Sequence, residues 1–125
     1  MPSKEPGATL EVQSVRHGEC TVAHVRGGLT GEAAPATLFQ GEITSLIVDG
    51  PPRLVLDLRG VTAWDDDGVG AVIGAAKRVM TASGKLVVAA TPADLRERFR
   101  RGGLDQRLEF RETVEQAVNE FGVSQ

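Results

Sequence analysis

Apolar positions change period several times along this chain, and those changes divide it into elements. In TLEVQSV (9–15), Leu10, Val12 and, after a polar gap, Val15 nearly alternate, which predicts a strand. CTVAHVRG (20–27) alternates more cleanly, with Val22 and His24 on one face and Thr21, Ala23 and Val25 on the other. The polar stretch RHGE (16–19) between them predicts a hairpin. GGLTGEAAP (27–35), with its glycines and proline, reads as a loop. From Ala34 to Val48 the period lengthens. Phe39, Ile43, Leu46 and Ile47 then share one helical face, although Gly41 weakens that helix by up to ~1 kcal/mol relative to alanine. DGPP (49–52) stops it.

RLVLDL (53–58) is a short apolar run between turn signals, the pattern of a central strand, and RGVTAWDDD (59–67) reads as a loop. The strongest helical spacing follows between Gly68 and Ala82, where Val69, Val72, Ile73, Ala76, Val79 and Met80 line one face. Gly70 and Gly74 on this helix predict close packing against a neighbour. LVVAA (86–90) is another buried strand. Thr91 as N-cap and Pro92 as first residue open a helix to 101 that buries Leu95 and Phe99. RLEF (107–110) predicts a short edge strand. Thr113 and Gln116 form a capping box for a last helix, whose inner face holds Val114, Ala117, Val118 and Phe121. Residues 1–8, polar with two prolines, form a tail and leave a domain over 9–122. The order ββαβαβαβα predicts an α/β fold: a mixed β-sheet with parallel central strands and helices packed against it.

Composition narrows the functional classes. The 125 residues suit one domain, and with 41% hydrophobic residues, no tyrosine and 4% aromatics its core must be aliphatic. A net charge of −3 argues against general affinity for nucleic acid or anionic membranes. Cys20 is the only cysteine, which rules out an internal disulfide and a cysteine-based zinc site. His17 and His24 lack metal-binding spacing and are expected to be ordinary strand or turn residues. No apolar run reaches the ~18 residues of a membrane span. MPSKEPGA lacks the apolar stretch of a signal peptide, so a cytoplasmic location is expected, with no metal or cofactor.

The unusual chemistry lies in AWDDDGVG (63–70). One acid among Asp65, Asp66 and Asp67 can cap the following helix, a contribution of ~1 kcal/mol that does not require three. A calcium loop counted from Asp65 would need Glu where Ala76 stands. DDDGV matches the motif of haloacid-dehalogenase-type phosphohydrolases locally, but their motif follows the first strand directly. Asp57, at the end of RLVLDL, sits where response-regulator receivers accept phosphate, yet the acidic pair and lysine of receivers are missing. Asp57 is instead expected to anchor the next loop by accepting backbone N–H bonds.

Three segments together resemble the STAS domains, and within them the bacterial anti-sigma factor antagonists. VRGGLT (25–30) is similar to that family's GELD segment, LVLDLRGVTAWDDDGVGAVIGAAK (54–77) to its core around DSSG, and TPADLRERFRRGGLDQ (91–106) to the segment ending in GLD. The resemblance spans about residues 9–122 and implies a single STAS domain that binds an anti-sigma factor, often a serine kinase, to free a sigma factor. The kinase would switch it off by phosphorylating the first serine of DSSG. Here Asp66 occupies that serine position, Asp65 and Gly68 match the motif, and Asp67 replaces the second serine. A serine kinase therefore has no hydroxyl to modify at 66. The acids either imitate phosphate, which carries −1.5 to −2 charges, or form a fixed docking face; the second is preferred. Thr30 replaces the Asp of GELD, and Thr62 is an alternative phosphorylation site.

The implied partner-binding set is Thr30, Thr62, Trp64, Asp65, Asp66, Asp67 and Gly68, with Arg96 and Arg100 from an arginine-rich helix. That helix is otherwise a solvated face balanced by Glu97. Trp64 is either wedged into the core or an exposed anchor. The resemblance implies no enzyme activity, no direct nucleic-acid binding and no membrane insertion, and it allows a homodimer. The alternatives are an accessory subunit of a lipid-transport ATPase or stress-sensing complex and, from another class, a small phosphohydrolase using DDDG.

Overall fold

A computed structural model describes residues 10–31, 39, 41–43, 45, 52–103 and 108–122. Strand β1 (Leu10–His17) and strand β2 (Cys20–Leu29) form the hairpin, in register from Leu10↔Gly27 to His17↔Cys20. Gly18 turns it at φ 58°, a left-handed conformation that glycine adopts without a Cβ penalty. Strand β3 (Arg53–Trp64), strand β4 (Lys85–Ala89) and strand β5 (Glu109–Arg111) complete a mixed five-stranded sheet. Its order is β1-β2-β3-β4-β5, and every pairing after the hairpin is parallel.

The alternation of strand residues sends two apolar sets to opposite faces. On one face Ala23, Val25, Leu56, Leu58 and Val88 pack with helix α1 (Asp66–Thr81), helix α2 (Ala93–Arg101) and the helical residues Phe39 and Ile43. On the other, Cys20, Val22, Val55, Val87 and Ala89 pack with Ala117 of helix α3 (Val114–Gly122), flanked by Val114, Val118 and Phe121. Covered on both sides, residues 54–58 are all buried, which is why RLVLDL reads as a continuous apolar run rather than an alternating one.

Several boundaries differ from the sequence reading. Strand β2 runs on through Gly27 and Gly28 to Leu29, and β3 through 59–64, where loops were expected. Register shifts between His24 and Arg26 and between Gly27 and Gly28 break the alternation. Leu58 and Val61 consequently face the same layer although three residues apart, and a period-2 search ends too early. Helix α1 starts at Asp66 rather than Gly68. Met80, expected on its buried face, is 60% exposed. Gly70 is exposed, and an added Cβ there would meet nothing, so the close packing expected of it is not found.

Helix α2 has Pro92, not Thr91, at its N-cap, with no side-chain cap; the Thr91 hydroxyl is buried without a hydrogen-bond partner among the described residues. The last helix follows its predicted box. Thr113 Oγ1 accepts from Gln116 N at 3.0 Å, and Gln116 Oε1 accepts from Thr113 N at 3.3 Å. β5 lies one to two residues later than RLEF suggested. Residues 1–9 lie outside the described set, as does most of the helix expected over 34–48; within it, residues 39 and 41–43 are helical.

Candidate functional site: the acid turn

The turn between β3 and α1 is fixed first by backbone. Asp65 N donates to Leu29 O at 3.3 Å, and Val69 N donates to Asp65 O at 3.0 Å, so the end of β2 holds the start of α1. Contact is close enough that a Cβ on Gly68 would overlap the Leu29 carbonyl. Asp65 is the N-cap, with its Oδ1 accepting from Gly68 N at 2.9 Å. Both of its carboxylate oxygens also accept from Gly31 N, at 3.2 and 3.3 Å. Asp65 thus joins the loop after β2 to the helix start.

The two following acids point elsewhere. Asp66 has a side chain 79% exposed, and its Oδ1 accepts from Arg98 Nε of α2 at 3.1 Å. Asp67 is exposed and makes no hydrogen bond or ion pair among the described residues. Gly31 lies directly behind it, where any Cβ would overlap the Asp67 side chain. Both acids lie in the first turn of α1, where the positive end of the helix dipole offsets their crowding.

Trp64 combines the two roles left open by the sequence. Its body packs on the core at intermediate exposure, and its Nε1 donates to Asp94 Oδ2 at 2.9 Å. Asp94 and Arg98 stand one helical turn apart on α2, so the same helix face grips Trp64 and Asp66. Asp94, Arg98 and Gly31 were not in the predicted set. Nothing in the local pattern around them announces a contact made thirty or more residues away.

Of the other predicted residues, Thr62 is exposed on β3 and Thr30 half-buried at the end of β2. Arg96 and Arg100 do not join the acid turn. The Arg96 guanidinium stacks on Phe110 at 4.1 Å. Arg100 pairs with Glu97 through bonds of 3.0 and 2.6 Å, which hold the Glu97 carboxyl below its ordinary range. Both arginines line a cleft of about 510 Å³ against β5, together with Thr91, Phe110 and Arg111. It is Arg98, between them, that reaches the acids.

The first acid of DDDG, the nucleophile of the haloacid-dehalogenase pattern, is Asp65, and backbone N–H groups occupy both its oxygens. Among the described residues no group of three or more His, Cys, Asp or Glu could hold a metal ion. Asp57 is buried and does anchor the following segment, accepting from Arg59 N at 3.0 Å. It also pairs with His24, a contact the sequence did not predict. Among the described residues no helix is long and apolar enough to cross a membrane.

The family model of the STAS domain matches residues 11–117. The fold is similar to that of an anti-sigma factor antagonist from Mycobacterium paratuberculosis, with a TM-score of 0.79 and 23% identity over 95% of this chain and 98% of that one. It is also similar to an anti-sigma-factor antagonist (STAS) domain protein from Planctomyces limnophilus, at 0.74 and 12% over 88% and 97%. A third likeness is to the Bacillus cell fate determinant SpoIIAA in its phosphorylated form, at 0.65 and 18% over 90% and 98%.

Proposed function

The chain belongs to the STAS domain family, and on that premise we propose that it is a protein-binding regulator of the anti-sigma factor antagonist type. It docks on an anti-sigma factor of the serine-kinase type through the β3–α1 turn and the start of α1. The observation that carries this reading is the acid turn itself: Asp66 and Asp67 project into solvent from a backbone anchored to β2. Asp66 stands where the family pattern has its phosphorylated serine, so the docking face is not switched by a phosphate at that position. A fixed docking face fits better than an imitation of phosphate. Asp66 carries one charge, and Arg98 offsets it within the same molecule, whereas phosphate would add nearly two.

Mixing the protein with purified anti-sigma factor kinases of its own genome tests this. One of them should form a complex with the wild-type protein, measured by calorimetry, and leave it unlabelled by radioactive ATP. The Asp66→Ser variant should take up label from the same kinase. Failure of every such kinase to bind, or labelling of the wild-type turn, would refute the proposal.

A further inference from the structure

Arg98 is half-buried on α2, whereas its partner Asp66 is mostly exposed. A half-buried guanidinium is already held in place and loses little freedom on pairing. One turn earlier on the same face, Asp94 accepts the Trp64 indole N–H and also the Leu95 backbone N–H, at 2.9 Å each. The acid turn thus has two points of attachment to α2, one on each side of Asp65. Asp65 itself is committed to Gly31 and Gly68.

We infer that Arg98 is the internal counter-ion of Asp66 and a specificity-determining residue of the docking face: α2 holds the turn and Arg98 masks the charge, though not the surface, of the exposed Asp66, leaving Asp67 as the uncompensated carboxylate beside it. The inference deepens the docking role proposed above and rests on it. A protein partner then meets one carboxylate, Asp67, that has neither a counter-ion nor a backbone hydrogen bond among the described residues, on a pre-organised turn, rather than two such carboxylates on a mobile one. Pre-organisation lowers the ordering cost of association, and masking sets which cations on the partner are attracted. An acid at 66 without Arg98 would present a different face from the same fold.

Two experiments on the full chain test it. The first needs no partner. Amide hydrogen exchange at residues 64–68 is followed in Arg98→Gln, Asp66→Asn and the double variant. Each single change should speed exchange there about two- to fivefold, the range of an exposed ion pair. The double variant should be no faster than the singles, Arg98→Lys should recover part of the protection, and exchange in β4 should not change. Additive effects in the double variant overturn the counter-ion. The second measures affinity for the anti-sigma factor kinase that binds the wild type. Asp67→Asn should weaken binding about tenfold and Asp66→Asn less than threefold. In the Arg98→Gln background Asp66→Asn should become as costly as Asp67→Asn. The reverse ranking overturns the masking. Absence of binding by every form refutes the docking role instead, and the exchange experiment then decides the counter-ion by itself.

Discussion

His24 and Asp57 meet across the β2–β3 pair, Nδ1 to Oδ2 at 2.6 Å, on the sheet face shared with α3. Asp57 is 3% exposed and also takes the Arg59 backbone N–H, while the Arg59 guanidinium lies 3.5 Å away. Losing one hydrogen-bond partner of a buried carboxylate is costly even when others remain. Replacing His24 by alanine should therefore lower stability by about 1–3 kcal/mol in urea unfolding. A loss below about 0.5 kcal/mol, the scale of an ordinary surface change, would mean that the ring is idle.

The three acids should separate in stability as they do in structure. Asp65→Ala removes the cap and the tie to Gly31, and should cost about 1–2 kcal/mol. Asp67→Ala removes no hydrogen bond or ion pair among the described residues and should stay within about 0.5 kcal/mol. Equal losses for the two would contradict the division of roles described for the turn.

Two glycines at the start of α1 give a sharper contrast. In Gly68→Ala the methyl group would collide with the Leu29 carbonyl, which cannot move without disturbing β2; the loss should reach about 1–3 kcal/mol. Gly70→Ala meets open space on an exposed helical surface, and should stabilise by up to ~1 kcal/mol. Differential scanning of the two variants should move the midpoint in opposite directions.

Stability should also fall in acid, with a defined origin. The hydrogen bond from Arg111 holds the Glu120 carboxyl below its ordinary range, helped by the charges of Arg111 and Lys85. A carboxyl with a lowered native pKa stabilises the fold above its unfolded value, about 4.3, and loses that contribution as pH falls through the native value. Glu97, held down by Arg100, acts in the same sense. Urea midpoints should decline below about pH 4.5, and Glu120→Gln should flatten the decline. An unchanged pH profile in that variant would remove Glu120 as a contributor.

Much of the fold was legible because its signals are local. The capping box at Thr113, the apolar face of α1 apart from Met80, and the run at 53–58 each follow from neighbours in sequence, and the structure contains them. The extension of β2 and β3 was not legible, because register shifts move Val61 onto the layer of Leu58 and disguise the strand as a loop. Thr91 misled for a related reason. Its identity suits a cap, but its hydroxyl turns inward and Pro92 takes the capping position. At the acid turn, sequence pattern located the exposed carboxylates but placed the arginine contact at 96 and 100. Helical phase around a partner not yet positioned in space decides that Arg98 faces the acids while Arg96 and Arg100 face β5.

The Leu29 carbonyl has one more consequence. Because main chain, rather than the side chains at 66 and 67, ties this corner to the sheet, residues there can be exchanged while the architecture survives. A descendant could trade acid for hydroxyl there, or the reverse, without rebuilding anything beneath, and under the docking role proposed above such a trade would change its susceptibility to a kinase. The chemistry exposed at this corner is free to evolve separately from foldedness.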